Sequence, residues 1–265
     1  MQPILGVVFQ KGGSGKTTAA INLAAALAAR QYRALLIDFD QQASATSGLG
    51  GDTTAIQTTV LEALQAVDRG EPVPREAILV SRDPHLEVLP ANITLSQLDR
   101  IFTVGGERVL TSLVEALGAL DRWDVMLIDS PPILGLATLN VLLAATHLII
   151  PVQTRFFAQD QLSKLFVTLR LIERRNGKRW ARIIIVPTMV RPGTIATKAA
   201  LEFLATTYGE YLTKTHIRDN TTLSDAQTEG LAIQWHAPKS HGAEDYDALA
   251  SEILSMIQIH AEVPA

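Results

Sequence analysis

Apolar runs recur along the chain, separated by turn-rich or acidic residues and by stretches with helical spacing. Ile4–Phe9, Arg33–Asp40, Leu86–Ala91, Trp123–Asp129, Ile183–Met189 and Thr213–Ile217 read as strands. Leu134–Pro151 reads as a buried helix followed by a further strand. Between them, Ala19–Leu27, Val60–Val67, Glu107–Leu120, Asp160–Arg175 and a last segment to His260 have helical spacing. In Asp160–Arg175 the apolar positions Leu162, Leu165, Phe166, Leu169 and Ile172 fall near one helical face. Gly48–Thr54 reads as a loop and Glu71-Pro72-Val73-Pro74 as a turn. Strands alternating with helices predict an α/β fold: one doubly wound, mainly parallel sheet flanked by helices, spanning residues 1–265 as a single domain. No internal repeat, low-complexity tract or linker divides the chain.

Composition narrows the classes. A chain of 265 residues can bury a sizeable core, and 47% apolar content with 19% charged residues suits a soluble globular protein. With no cysteine, disulfides, iron–sulfur clusters and thiolate metal sites are excluded. The six histidines show no zinc-ligand spacing. No Gly-x-Ser-x-Gly elbow or kinase catalytic loop appears. Met1 leads directly into the first strand without a basic leader, so no signal peptide or N-terminal helix-turn-helix is expected; the longest apolar run, Leu134–Pro151, is interrupted by Asn140, Thr146 and His147, so no transmembrane span is expected, and a cytoplasmic location is. The net charge of −4 conceals an asymmetry. Ten of the 23 basic residues lie between Arg155 and Lys198 with only Asp160 and Glu173 for acids, leaving 13 basic and 25 acidic residues elsewhere. Attraction to a polyanion depends on such local charge.

The chemistry is densest between the first strand and the first helix, at Lys11-Gly12-Gly13-Ser14-Gly15-Lys16-Thr17-Thr18. Glycines permit a tight turn whose successive N–H groups point into one concavity, and the helix that follows presents its positive end there. Such a loop suits a polyphosphate, where a plain Gly/Ser turn between strand and helix would bind nothing. Lys16 would reach the β and γ phosphates, Thr17 would ligate Mg2+ and Thr18 would touch the α phosphate. The segment Ala34-Leu35-Leu36-Ile37-Asp38-Phe39-Asp40 ends in two carboxylates that a period of two places on one side of the strand end. Burying both requires a cation, which a Mg2+–nucleotide complex would supply; as solvated helix caps they would need none. Val125-Met126-Leu127-Ile128-Asp129 ends likewise in an aspartate, the pattern in which a carboxylate holds Mg2+ through water.

Lys11 adds a second lysine at the start of the loop, and Lys-Gly-Gly-Ser-Gly-Lys-Thr-Thr resembles the deviant Walker A loop of the ParA/MinD family of P-loop ATPases. The likeness continues through Asp38-Phe39-Asp40-Gln41-Gln42, with Gln41 where the family carries proline. It extends through Pro90-Ala91, Asp129-Ser130-Pro131-Pro132, Arg218–Ala226 and Pro238–Ala243, and so covers essentially the whole chain, nearer to ParA than to MinD. The resemblance implies an ATP- and Mg2+-dependent homodimer sandwiching two nucleotides. Lys11 would act across the interface, Asp38 and Asp129 would hold metal waters, and Asp40 would orient the attacking water. It also implies that Gly12 to Thr18 cradle the phosphates and that Pro187, Thr188, Met189, Ile217 and Asp219 lie beside the adenine.

A nonspecific DNA surface needs several basic side chains on one face. Arg170, Arg174, Arg175, Lys178, Arg179, Arg182, Arg191 and Lys198 are the candidates; the residues alone are equally readable as a solvated helix end. Arg218-Asp219 replaces the family's Pro-Arg, and Thr222 stands where some relatives carry a DNA-contacting arginine. By the resemblance, the chain is expected to bind nucleoid DNA nonspecifically and to be switched by a ParB-like or adaptor protein. Its cargo would be a plasmid, a chromosome or a protein organelle such as a carboxysome. A MinD-like membrane ATPase is the alternative, but Ile257–Ala265 carries no lysine or arginine for an amphipathic anchor. A nitrogenase-iron-protein-like reductase lacks its cysteines, and a non-hydrolysing scaffold would show no ATP turnover.

Overall fold

The computed structural model describes residues 2–102, 106–154 and 159–257. Along the chain run β1 (Ile4–Val7), α1 (Lys16–Ala28), β2 (Ala34–Asp38), α2 (Ser44–Ser47), α3 (Val60–Asp68), β3 (Leu79–Val80), β4 (Leu86–Leu89) and α4 (Leu98–Ile101). Then follow α5 (Val109–Gly118), β5 (Val125–Asp129), α6 (Leu136–Ala144), β6 (His147–Gln153), α7 (Gln159–Asn176) and β7 (Arg182–Thr188). The chain continues through α8 (Ile195–Tyr208), α9 (Thr221–Thr228), α10 (Ile233–His236) and α11 (His241–Ile257). The end of the last predicted helix at His260, the rest of the 258–265 tail and Arg155 lie outside the described residues.

Among the described residues one seven-stranded sheet has the order β3-β4-β2-β5-β1-β6-β7, and only the short edge strand β3 runs antiparallel. Strands β2 and β5 are buried along their whole length, as expected of parallel strands covered on both faces. One side of the sheet packs against α1 and α11, the other against α3, α5, α6 and α7. Helix α1 is buried around nearly its full circumference. Its alanines combine high helix propensity with side chains small enough for the helix to lie tightly between sheet and α11. The predicted helix at Val60–Val67 begins with a capping box, Thr59 with Glu62. In α7, Leu162, Leu165, Leu169 and Ile172 are buried as their spacing required, with Phe166 half-buried beside them.

One predicted strand is absent. Thr213–Ile217 runs beside β7, joined by the Thr213 and Ile217 amides donating to the Ile185 and Pro187 carbonyls. The intervening Lys214 and Thr215 amides instead donate to the Glu252 carboxylate on α11, at 2.7 and 2.8 Å. With those donors turned to a helix the ladder cannot continue, and only isolated bridges form at Leu212 and Arg218.

Candidate functional site

Strand order assembles the site. Strand β5 lies between β1 and β2, with Val7 opposite Asp129 and Asp129 opposite Asp38. The loop that leaves β1 therefore meets the carboxyl ends of β5 and β2 at one rim of the sheet.

The loop turns through Gly13 (φ +68°) and Gly15 (φ +89°), left-handed conformations that a side chain would strain. Gly15 precedes α1, which starts at Lys16 without a side-chain cap and without an acid in its first turn. Its N-terminal amides are thus left for an external anion. Three side chains meet carbonyls of the loop. Gln153 at the end of β6 donates to Gly13 O, Thr188 at the end of β7 donates to Ser14 O at 3.3 Å, and Lys16 Nζ lies 3.5 Å from Lys11 O. With those carbonyls engaged by protein groups, the loop's amides are the side presented to a phosphate. Ser14 Oγ is buried with no hydrogen-bond partner, one orphaned donor in the cradle.

Lys16 is only 6% exposed. Burial lowers its pKa, and the nearby charges of Asp129 and Asp40 oppose that shift. Lys11 is half-buried and Gly12 exposed at the loop's rim. Thr17 is half-buried beside Asp129. Thr18 turns its hydroxyl to Gln227 Oε1 on α9, 3.2 Å away, so the expected α-phosphate contact falls to its backbone unless that bond is given up.

Asp38 and Asp129 are both fully buried. Asp38 Oδ2 accepts from the Thr46 amide at 2.8 Å and from the Thr46 hydroxyl at 2.7 Å, and Oδ1 accepts from the Asp40 amide at 3.2 Å. The Ala91 amide donates to Thr46 Oγ1 at 3.0 Å, so that hydroxyl's own proton must point at Asp38. Burial pushes the Asp38 carboxyl up to about 6 despite these bonds. Burial and the neighbouring Asp38 charge push Asp129 up as well, opposed by the Thr17 hydroxyl and Lys16. Beyond the adjacent Thr17 hydroxyl, which does not reach full bonding geometry, neither Asp129 oxygen has a hydrogen-bond partner. A dry, poorly satisfied carboxylate beside a second carboxylate suits a divalent cation. Asp40, just past β2, is almost buried and accepts from the Gln42 amide at 3.0 Å.

The predicted adenine contacts are more dispersed. Pro187, Thr188 and Ile217 are buried, and Met189 is half-buried with φ +52°. Thr188 serves the phosphate loop from beneath. Asp219 is paired with Arg191 and lines a cavity of about 690 Å3 between the exit of β7, the 218–222 segment and Lys239–His241. The basic candidates do not form one patch. Arg170, Arg174, Arg175, Lys178, Arg179 and Arg182 lie along α7, in the turn after it or at the first residue of β7, whereas Arg191 and Lys198 follow β7. Its seven residues put roughly 20 Å between the two groups. Sequence reasoning missed Thr46 and Gln153. Both are polar residues whose role depends on contacts far along the chain.

A glycine loop at an uncapped helix, a buried lysine within it and two strand-end aspartates beside it place this chain among the P-loop nucleoside triphosphatases. A family model described as an AAA domain matches residues 2–181. The chain is 34% identical to the sporulation initiation inhibitor protein Soj of Bacillus subtilis over 255 residues, covering 96% of this chain and 98% of that one. It is 37% identical to the chromosome-partitioning ATPase Soj of Thermus thermophilus, covering 94% of each. Among solved structures, cobyrinic acid a,c-diamide synthase from Mycobacterium smegmatis with bound ADP and magnesium superposes with a TM-score of 0.80 at 28% identity, covering 100% of this chain and 99% of that one. Apo McdA from Cyanothece, at 21% identity, shares the fold with a TM-score of 0.82, covering 96% of this chain and 100% of that one. The chain belongs to the ParA/MinD family of P-loop ATPases, on its Soj/ParA side.

Proposed function

We propose that this ATPase is an ATP-switched dimer that binds DNA nonspecifically and positions or segregates a cargo, a plasmid, a chromosome or a protein organelle, with a ParB-like or adaptor partner. The observation that carries the reading is the pair of lysines in one loop: Lys16 buried beside the aspartates and Lys11 at the rim. In this reading one serves the phosphates of its own nucleotide, while the other would reach the nucleotide of a facing subunit.

In this reading the amides of residues 12–18 and Lys16 hold the phosphates of ATP, and Gln153 and Thr188 keep the loop in register. Thr17, Asp38 and Asp129 would hold Mg2+, which when bound offsets phosphate charge as a Lewis acid. Asp40 orients the attacking water. Lys11 from the second subunit stabilises charge developing on the transferred phosphoryl group, as an arginine finger does. Among the described residues no strong general base adjoins the site, so positioning sets the rate, and a partner that improves positioning would raise it. ATP drives the switch only through a higher affinity for the closed dimer than for the open form. The nucleoid is then the track, gripped through arginines and lysines of α7 or of the segment after β7. No helix among the described residues is long and apolar enough to cross a membrane.

The test is binding to random-sequence duplex DNA with ATP, ADP or no nucleotide at two salt concentrations, for wild type and Lys11→Ala. Binding that requires ATP, weakens with salt and is lost in Lys11→Ala is expected. An ATP-dependent dimer that ignores DNA at low salt would overturn the DNA part of the reading.

A further inference from the structure

The end of α6, the end of α7 and the start of α5 enclose a second cavity, of about 270 Å3. Arg108, Lys178 and Arg179 line it, together with Thr111 and an apolar wall at Leu143. We propose that this cavity is a binding site for a phosphate-type oxyanion, separate from the nucleotide site.

Topology separates the two sites. Leu143 lies just before the start of β6, and Lys178 and Arg179 lie just before the start of β7. The phosphate loop leaves the opposite, carboxyl rim of the same parallel strands. No group bound by the loop can extend into this cavity.

Three observations point to an anion. Three cations line the cavity, the half-buried Lys178 and the exposed Arg108 and Arg179, and none of them makes an ion pair with a carboxylate among the described residues. Lys178 is half-buried, and the charge that acts on it most directly is another cation, Arg108, which together with burial holds its ammonium below the usual lysine range. Bringing like charges into a partly desolvated pocket is unfavourable unless a counter-charge sits between them. Independently, Thr111 lines the cavity and its Oγ1 is buried with no hydrogen-bond partner, a donor one rotamer change could turn toward a bound anion. Helix α5 begins here with Arg108 at its N-cap; the Leu110 amide of its first turn is taken by Asn140 Oδ1 at 3.1 Å, so the helix end contributes only its remaining amides to the same field. The volume lies below that of most small-molecule pockets yet exceeds several waters, which suits a compact oxyanion. Two sources share this chemistry, free inorganic phosphate and the phosphodiester of a DNA backbone.

The full chain, saturated with ADP and Mg2+ so that the phosphate loop is filled, is titrated with sodium phosphate and, at equal ionic strength, with sodium chloride. Backbone amide resonances of Val109–Thr111 and Gly177–Arg179 report on the cavity. Saturable shifts with phosphate and not with chloride are expected. Arg108→Gln and Lys178→Gln should each weaken phosphate binding about tenfold, the scale of one charge-assisted hydrogen bond. Thr111→Val should weaken it several-fold while leaving the fold intact. Shifts that grow linearly and equally with both salts, or that survive both charge substitutions, would overturn the proposal. A short duplex, added to the phosphate-loaded protein with a non-hydrolysable ATP analogue and Mg2+ in place of ADP, tells the sources apart: displacement of phosphate from these amides assigns the site to the DNA backbone, and retention assigns it to a free oxyanion. The phosphate titration does not depend on whether the DNA-positioning reading holds; only the duplex arm rests on it.

Discussion

Replacing Asp38 by asparagine separates the catalytic demand on this side chain from its demand on the fold. In the nucleotide-free protein the carboxyl is fully buried, and its pKa rises from an ordinary 3.8 to about 6. At about 1.4 kcal/mol per unit, holding the ionised form costs about 3 kcal/mol at pH 8. The folded state keeps this proton to higher pH than the unfolded chain does, so stability falls as pH rises from about 4 to about 6 and stays low above. Asparagine removes the charge. It can keep its oxygen toward Thr46 but loses the bond accepted from the Asp40 amide, about 1 kcal/mol. Removing the Asp38 charge also relieves Asp129, which shifts the balance in the same direction. The apo variant should therefore be about 2 kcal/mol more stable than wild type at pH 8 and about 1 kcal/mol less stable at pH 4. ATP hydrolysis should be abolished in the same variant. Urea unfolding of chelator-treated protein at pH 4, 6 and 8 measures the difference, given equal m-values. A variant less stable at every pH, or a difference that does not change with pH, would refute the argument that Asp38 is a desolvated carboxylate awaiting a cation.

Two further substitutions probe the frame around the site. Thr188→Val removes the bond to Ser14 O; KM for ATP should rise about fivefold with kcat nearly unchanged, and unaltered nucleotide affinity would dismiss Thr188 as a support of the loop. Gly6→Ala puts a Cβ 2.9 Å from Ala145 Cβ and 3.1 Å from Val141 Cγ1 under β1; overpacking of about 2 kcal/mol should appear as a thermal midpoint lowered by several degrees, and an unchanged midpoint would show that α6 can yield.

The elements that the chain order and residue pattern made legible are those whose determinants are local. The strand–loop–helix around Lys16 carries its glycines, its lysine and its apolar flanks within a short stretch, and Asp38 and Asp129 each end a continuous apolar run. Three features were not legible, each for a physical reason. The 213–217 segment has strand-like residues, but Glu252, nearly forty positions later, takes its amides. Thr46 looks like any small polar residue until the Ala91 amide fixes its hydroxyl toward Asp38. The basic stretch reads as one patch along the sequence, yet β7 separates it into two, and Arg108 joins one of them from a helix more than sixty residues earlier. Long-range hydrogen bonds and sheet topology decide such placements, and neither has a local signature.

If ATP drives dimerisation with Lys11 acting across the interface, light scattering on wild type and Lys11→Ala, each with ATP·Mg2+ and with ADP·Mg2+ at matched nucleotide saturation, reads it out. Wild type should double its mass with ATP alone, and Lys11→Ala should stay a monomer that still binds ATP. A wild-type dimer that persists with ADP, or a Lys11→Ala chain that dimerises and hydrolyses like wild type, would contradict it.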